Sequence, residues 1–199
     1  MGAAEDIGAI AAEIRSCDGC RLCETRSLAV PGEGTPDASV MVVGEAPGRN
    51  EDETGRPFVG AAGERLDEVI GLAGLTREDV FISNVVKCRP PKNRNPRRDE
   101  IAACRGYLER QVAAIRPKAI VTFGNFASQL VLGTDEGVAT LHGKPVDAEV
   151  PCGGCSIRTI VYPVFHPAAT IYRPQWRAVL EEDMRRLKGI LADAGGSLG

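Results

Sequence analysis

The chain has 199 residues, which is enough for one domain with its own hydrophobic core. Its apolar fraction of 43% and charged fraction of 26% are those of a soluble globular protein, and no apolar run reaches the ~18 residues of a membrane span. The net charge of −3 argues weakly against a nucleic-acid partner, and no signal-peptide pattern follows Met1. We therefore expect one cytoplasmic domain over residues 1–199, with loose ends at 1–4 and 195–199.

Apolar runs alternate with amphipathic stretches along the chain, which predicts an α/β fold with a mostly parallel sheet. The strands are expected at Ser39–Val43, Val80–Val86, Ala119–Phe123 and Thr159–Phe165. The helices are expected at Gly63–Ala73, from Asn95 onward with Pro96 in the first position, in a short segment ending near Gly133, and at Pro174–Ala192.

Polar residues follow the predicted strands at their carboxyl ends, where α/β sheets bind ligands. Glu45 follows the first strand, Asn84 ends the second, Asn125 follows the third, and His166 follows the fourth. A carboxylate, an amide and an imidazole are thus predicted to share one rim. The chain contains neither a P-loop motif nor a Gly-x-Gly-x-x-Gly turn after a strand, so nucleotide-binding folds of those kinds are excluded.

Four of the seven cysteines are spaced like metal ligands. Cys17 and Cys20 form a C-x2-C pair, and 15 residues separate Cys88 from Cys104. Four thiolates in this arrangement suit either a zinc ion or a [4Fe–4S] cluster, and the spacing does not choose between them. Cys23 extends the first pair to C-x2-C-x2-C, so Cys20 or Cys23 could stand beside Cys17; we favour Cys17 and Cys20.

The remaining cysteines lie in the glycine-rich stretch "PCGGC". Cys152 and Cys155 are interpreted as free thiols or as a strained redox pair. A second metal site is the less favoured reading, since it would need His142 as a further ligand.

Positive charge is concentrated between Asn84 and Lys118. Ten basic residues there face three acidic ones, an excess of seven positive charges. Such a segment could bind a phosphate backbone or could be an ordinary solvated helix face, and charge alone does not decide.

Three stretches together resemble the family 4 uracil-DNA glycosylases, the iron–sulfur branch of the uracil-DNA glycosylase superfamily. They are "VVGEAPGRNEDETGRPFVGAAG" at 42–63, "NVVKCRPP" at 84–91 with its cysteine spacing, and "FHPAATIYRP" at 165–174. The resemblance extends from Cys17 to the last helix. It implies a three-layer α/β/α sandwich around a central four-stranded, mostly parallel sheet, and a [4Fe–4S] cluster with a structural role.

The resemblance also implies an activity, the removal of uracil from single- or double-stranded DNA to leave an abasic site. DNA as substrate would place the chain at the nucleoid, and monomeric action is the expectation. The sequence does not identify a sliding clamp or other repair protein as partner.

The resemblance assigns roles to individual residues. Phe58 matches the ring that stacks on the flipped uracil, Asn84 the amide that reads its Watson–Crick edge, and His166 the imidazole near its O2. The strand-end motif beside the base and sugar contains Gly44, Glu45 and Ala46. The cluster ligands correspond to Cys17, Cys20, Cys88 and Cys104.

The residue that activates water is less well defined by the resemblance. Ala46 occupies the place of an aspartate in the best-known uracil-DNA glycosylases. Glu51 is predicted for this role; Glu45, or capture of water by the sugar cation with little base assistance, is the alternative. The loop 168–174 matches the segment that wedges into the duplex, with Ile171, Tyr172 and Arg173 as candidates.

Two other functions compete with excision. A covalent uracil-DNA binder of the same superfamily traps DNA through a histidine in an Arg-rich insertion, but "RPPKNRNPRRDE" after Cys88 contains no histidine. A non-catalytic interaction domain with zinc or a cluster would leave uracil in place. The combined motifs favour the hydrolytic enzyme.

Overall fold

The computed structural model describes the backbone of residues 2–196 and all side chains in that range except those of Tyr172, Pro174 and 194–196. The predicted loose ends fall partly on Met1 and 197–199, which lie outside the described residues. The strands are β1 (Glu33–Gly34), β2 (Val40–Gly44), β3 (Val80–Asn84), β4 (Ala119–Phe123), β5 (Val146–Pro151) and β6 (Ser156–Val164). The helices are α1 (Ala3–Ser16), α2 (Arg49–Thr54), α3 (Ala61–Leu72), α4 (Arg98–Ile115), α5 (Asn125–Leu132), α6 (Val138–Leu141), α7 (Pro167–Tyr172) and α8 (Pro174–Gly196).

All six strands belong to one mixed sheet, in the order β1-β3-β2-β4-β6-β5. The inner four strands run parallel and are the four that the sequence predicts. The two edge strands pair antiparallel with their neighbours and were not predicted, so the expected strand count of four is wrong. Strand β1 has only two residues, and β5 leaves most of its side chains partly or fully exposed, so neither contains a buried apolar run.

Helices cover both faces of the sheet, as the alternating side chains of β2 show. Met41 and Val43 pack into a core with apolar residues of α1, α4 and α5. Val40 and Val42 point the other way, into a core with α3 and α8. Successive residues of a strand face opposite sides, so a fully apolar strand such as β2 requires this three-layer arrangement.

Strand β6 begins at Ser156 rather than at Thr159, and the start of α4 and the end of β3 differ from the prediction for local reasons. Helix α4 begins at Arg98 rather than at Pro96, because the Arg97 N–H donates to the Glu100 carboxylate over 2.8 Å and closes a capping box there. Strand β3 ends at Asn84 rather than at Val86. The chain nevertheless continues beside β2, since the Val85 N–H donates to the Gly44 carbonyl over 2.9 Å.

Within residues 2–196, no helix combines the length and the apolar composition that a membrane crossing would require.

Candidate active site and cysteine cavity

A pocket of about 390 Å³ opens at the carboxyl ends of the parallel strands. Six of the predicted site residues line it: Glu45, Ala46, Glu51, Phe58, Asn84 and His166. Gly44 lies directly behind two of them, because a Cβ built on it would fall 2.5 Å from both Phe58 Cζ and Asn84 Oδ1. The structure therefore brings together residues that are up to 122 positions apart in the chain, from Gly44 to His166.

Asn84 is the last residue of β3 and is only 2% exposed. Its Oδ1 is buried and accepts no hydrogen bond from the described residues. A buried amide oxygen without a partner costs about 1–3 kcal/mol, so such groups usually await a ligand or water. Asn84 thus presents an unused acceptor at the pocket.

Phe58 has a backbone conformation that is unusual for a bulky residue, with φ of +52°. Its ring is 6% exposed and faces the His166 ring, with centroids 5.9 Å apart and planes inclined by 24°. The two rings therefore flank the same part of the pocket.

His166 is the N-cap of α7, and this role fixes its proton. Its Nδ1 accepts a hydrogen bond from the Ala168 N–H over 3.2 Å, which assigns the proton of the neutral ring to Nε2. Burial lowers the pKa of His166 to about 4, partly opposed by the Glu51 charge. The imidazole is therefore neutral at pH 7 and offers an Nε2–H donor.

The two glutamates of the pocket have different surroundings. Glu51 accepts hydrogen bonds from three backbone amides, those of Gly48, Val59 and Gly60, over 2.9–3.1 Å. The Glu45 carboxylate forms no hydrogen bond with the described residues, and burial raises its pKa. Glu51 thus holds the surrounding loop, whereas Glu45 is free to bind another group.

The pocket also contains residues that the sequence did not assign to it, chiefly Asn93 and Arg94. Arg94 donates to both carboxylate oxygens of Glu100, over 2.8 and 2.6 Å, and this pair lowers the pKa of Glu100 to about 2. The positive charge between Asn84 and Lys118 was the available signal. It did not show that this part of the segment folds over the pocket.

A buried lysine links the pocket to the cysteines. The Lys87 ammonium is enclosed and donates to Ser83 Oγ, to the Asn84 carbonyl and to Gln111 Oε1 over 2.6–2.8 Å. Burial lowers its pKa to about 8. Its backbone N–H donates to the Cys104 sulfur over 3.3 Å, so one residue contacts both regions.

Five cysteines line a second, small cavity between α1, the segment after β3 and α4: Cys17, Cys20, Cys23, Cys88 and Cys104. Three sulfurs accept N–H groups over 3.0–3.4 Å, Cys17 from Gly19, Cys88 from Arg26 and Cys104 from Lys87. The Cys23 thiol instead donates to the Asp18 carbonyl. Within residues 2–196, no three His, Cys, Asp or Glu side chains are spaced to hold a single metal ion.

The other two cysteines form a disulfide. Cys152 and Cys155 are joined across the turn between β5 and β6, with Cα atoms 5.0 Å apart. His142, considered as a metal ligand with them, instead places Nδ1 2.8 Å from an Asp183 carboxylate oxygen.

The predicted wedge segment at 168–174 is not a loop: residues 168–172 lie in α7, Arg173 follows this helix, and Pro174 begins α8. Ile171 is 48% exposed and, with Leu28 at 46%, is one of two large apolar side chains exposed in the described part of the chain. The Arg173 guanidinium lies 4.3 Å from the centre of the Trp176 ring. The Tyr172 side chain is outside those that the structure describes.

The chain is similar in sequence to proteins of one superfamily. The sequence profile of the uracil DNA glycosylase superfamily matches residues 31–188. The chain is 45% identical over 193 residues to the type-4 uracil-DNA glycosylase of Saccharolobus solfataricus, covering 94% of this chain and 88% of that protein. It is 44% identical over 187 residues to that of Archaeoglobus fulgidus (92% of each chain) and 39% over 189 residues to that of Thermotoga maritima (94% and 95%).

Proposed function

The chain belongs to the uracil DNA glycosylase superfamily, and we infer that it removes uracil from DNA by hydrolysing the N-glycosidic bond. One observation supports this most directly: Asn84 presents a buried amide oxygen, with no partner among the described residues, in a pocket that Phe58, His166 and Glu45 also line. An enzyme of this type must take the nucleotide out of the stack and enclose the base in a pocket. The pocket of about 390 Å³ is large enough for one nucleoside.

Asn84 would distinguish uracil from cytosine. Its Oδ1 can accept the N3–H of uracil while its Nδ2 donates to O4. Cytosine presents a bare N3 and an amino donor, so both contacts would be lost and buried polar groups would stay unpaired. The missing partner of Oδ1 in this structure supports that assignment.

Phe58 would provide the stacking surface for the flipped base. Stacking on one aromatic face contributes about 1–3 kcal/mol, which offsets part of the stacking lost in the duplex. The ring is already buried beside the pocket, so little order has to be created on binding.

Bond cleavage develops negative charge on the uracil ring and positive charge on the sugar. A donor aimed at uracil O2 stabilises the departing base, as in an oxyanion hole. The Nε2–H of His166 suits this role, because Nδ1 accepts the Ala168 N–H and the proton of the neutral ring is therefore held on Nε2.

Glu45 and Glu51 remain the candidates for positioning the attacking water. The sequence predicts Glu51 for this role, but its two carboxylate oxygens already accept hydrogen bonds from three backbone amides. We propose Glu45 as the better placed group, since its carboxylate has no such partners and a raised pKa makes it a stronger base. Single-turnover excision by Glu45→Gln tests this assignment, and a rate equal to that of the wild type would reverse it, since Glu51→Gln also disturbs the loop that Glu51 holds.

We propose that the five-cysteine cavity holds a [4Fe–4S] cluster ligated by Cys17, Cys20, Cys88 and Cys104. The Cys17, Cys88 and Cys104 sulfurs accept N–H groups, as thiolate ligands do, whereas the Cys23 thiol donates to a carbonyl, which leaves Cys20 as the fourth ligand. Each thiolate of such a cluster binds its own iron, so the sulfurs lie farther apart than ligands on one ion. A bound cluster would tie α1, the segment after β3 and α4 together. Broad absorption near ~400 nm with iron and sulfide would support it, and zinc alone would contradict it.

Ile171 is proposed as the residue that fills the gap left by the flipped base, because it is apolar, exposed and close to His166 in the chain. Because the substrate is DNA, we also propose that the chain acts at the nucleoid as a monomer.

The test of the function is excision from oligonucleotides with one uracil opposite guanine, opposite adenine or in a single strand. Alkaline cleavage at the uracil position would report the abasic product. Intact strands would contradict the proposal, and a protein–DNA adduct that survives SDS would favour the covalent alternative.

A further inference from the structure

The strained backbone of Phe58 needs an explanation in the surrounding structure. A bulky residue with φ of +52° is rarely found outside functional sites, and it persists only where neighbouring groups hold it. Phe58 also lies in a loop between α2 and α3, where no strand or helix hydrogen bonds fix the main chain. The contacts that hold this peptide therefore decide where the ring points.

Arg77 holds the carbonyl side of this segment. Its Nη2 donates to the Phe58 carbonyl, and its Nη1 donates to the Pro57 carbonyl over 3.3 Å. Its Nε donates to Asp67 on α3 over 2.6 Å, which fixes the plane of the guanidinium. Arg77 is absent from the lining of the pocket, so its effect on a bound base would be transmitted through Phe58.

The amide side is held by other groups. The N–H groups of Val59 and Gly60, which follow Phe58, donate to Glu51 Oε1. Helix α3 presses against the Phe58 carbonyl, because a Cβ on Gly63 would lie 1.9 Å from that oxygen. Arg77 is thus the polar partner of both the Pro57 and the Phe58 carbonyl.

We propose that Arg77 is a positioning residue for base stacking, which locks Phe58 in its strained conformation from outside the pocket. This inference rests on the proposed function, since it assigns Phe58 to the flipped base. Removing Arg77 leaves the Pro57 and Phe58 carbonyls without their donor and allows the peptide to relax toward negative φ. The Phe58 ring then turns away from the base, although no residue that contacts the base has been substituted.

The chain offers a matched control in Arg56. This arginine is next to the same segment and forms a bidentate pair with Glu33 over 2.7 Å, but it donates to neither carbonyl. The comparison of Arg77→Met with Arg56→Met separates loss of the carbonyl contacts from loss of a nearby positive charge. Arg77→Lys retains the charge but offers one donor nitrogen in place of the three of the guanidinium.

The experiment is single-turnover uracil excision in a double-mutant cycle with Phe58→Ala. We expect Arg77→Met to slow excision about 10- to 100-fold, the range that loss of one stacked base corresponds to. Arg77→Lys should be intermediate and Arg56→Met within about twofold of wild type. In the Phe58→Ala background, Arg77→Met should have no further effect, because its target is already absent.

Two results would overturn the proposal while the wild type excises uracil: excision by Arg77→Met at the wild-type rate, or losses that multiply in the double variant. Loss of folding by Arg77→Met, judged by its melting temperature, transfers the same test to Arg77→Lys. An inactive wild type would instead refute the proposed function, so the two failures are distinguishable.

Discussion

Replacing Gly44 with alanine should disable the site through one methyl group. The Cβ would lie 2.5 Å from Phe58 Cζ and Asn84 Oδ1 and 2.8 Å from Phe58 Cε2, distances at which atoms must move. Gly44 itself cannot retreat easily, because it ends β2 in register with Asn84 on β3 and its carbonyl accepts the Val85 N–H. The ring and the amide are therefore the groups that yield.

The magnitude follows from the two contacts that would be displaced. Loss of base stacking costs about 1–3 kcal/mol, and an unpaired buried amide costs about 1–3 kcal/mol more. Together they correspond to a rate reduction of roughly 30-fold to 10⁴-fold, if both contacts act in the transition state.

Single-turnover excision of uracil from a duplex measures this loss. Gly71→Ala is the matched control, since Gly71 lies on α3 with nothing within 4 Å of its added Cβ, and it should retain the wild-type rate. A folded Gly44→Ala protein that excises uracil within about threefold of wild type would refute the assignment of Phe58 and Asn84.

Three further predictions concern other residues. The Cε1–H resonance of His166 should stay constant from pH 8 down to about pH 5, because the pKa of His166 in the folded protein, about 4, lies below the ordinary value of 6.5. As the pH falls, His166 of the unfolded chain binds a proton before that of the folded chain does. The free energy of unfolding should therefore decrease as the pH drops from 6.5 toward 4. A titration midpoint near 6.5, assigned with His166→Gln, would contradict this. Ile171→Ala should reduce excision from duplexes more than excision from single strands, by about 1–3 kcal/mol. Leu28 is similarly exposed, and Leu28→Ala should show no such difference between the two substrates. Equal losses on both substrates for Ile171→Ala would argue against a wedge. Cys23→Ser should retain absorption near ~400 nm and Cys20→Ser should lose it, and the reverse pattern would exchange the two ligands.

The sequence predicted the parts of the fold that rest on continuous apolar runs. Strands β2 and β4 are buried on both faces, so their composition alone identifies them. Strand β5 alternates apolar residues with exposed Asp147 and Glu149, which is the pattern of a half-buried edge strand rather than a continuous apolar run. Helix α2 has six residues with only Glu51 and Asp52 buried, so it has no apolar face and depends on tertiary contacts.

The residues of the site also divide into those that the sequence pattern identifies and those that only the folded structure brings together. Asn84 and His166 could be found because Asn84 ends β3 and His166 closely follows β6, and the carboxyl ends of these strands lie at one edge of the sheet. The hydrogen bonds of Glu51 to Val59 and Gly60, and the reach of Arg77 to Phe58, depend on side-chain directions in segments 8 to 20 residues apart. No spacing in the sequence marks them.

A crystal structure of the protein bound to DNA with an uncleavable deoxyuridine analogue would test the central claim most directly. One uracil ring should lie against Phe58, with its N3–H on Asn84 Oδ1 and its O2 facing His166 Nε2. A base bound elsewhere, or a flipped base that leaves Asn84 Oδ1 unpaired, would contradict the account.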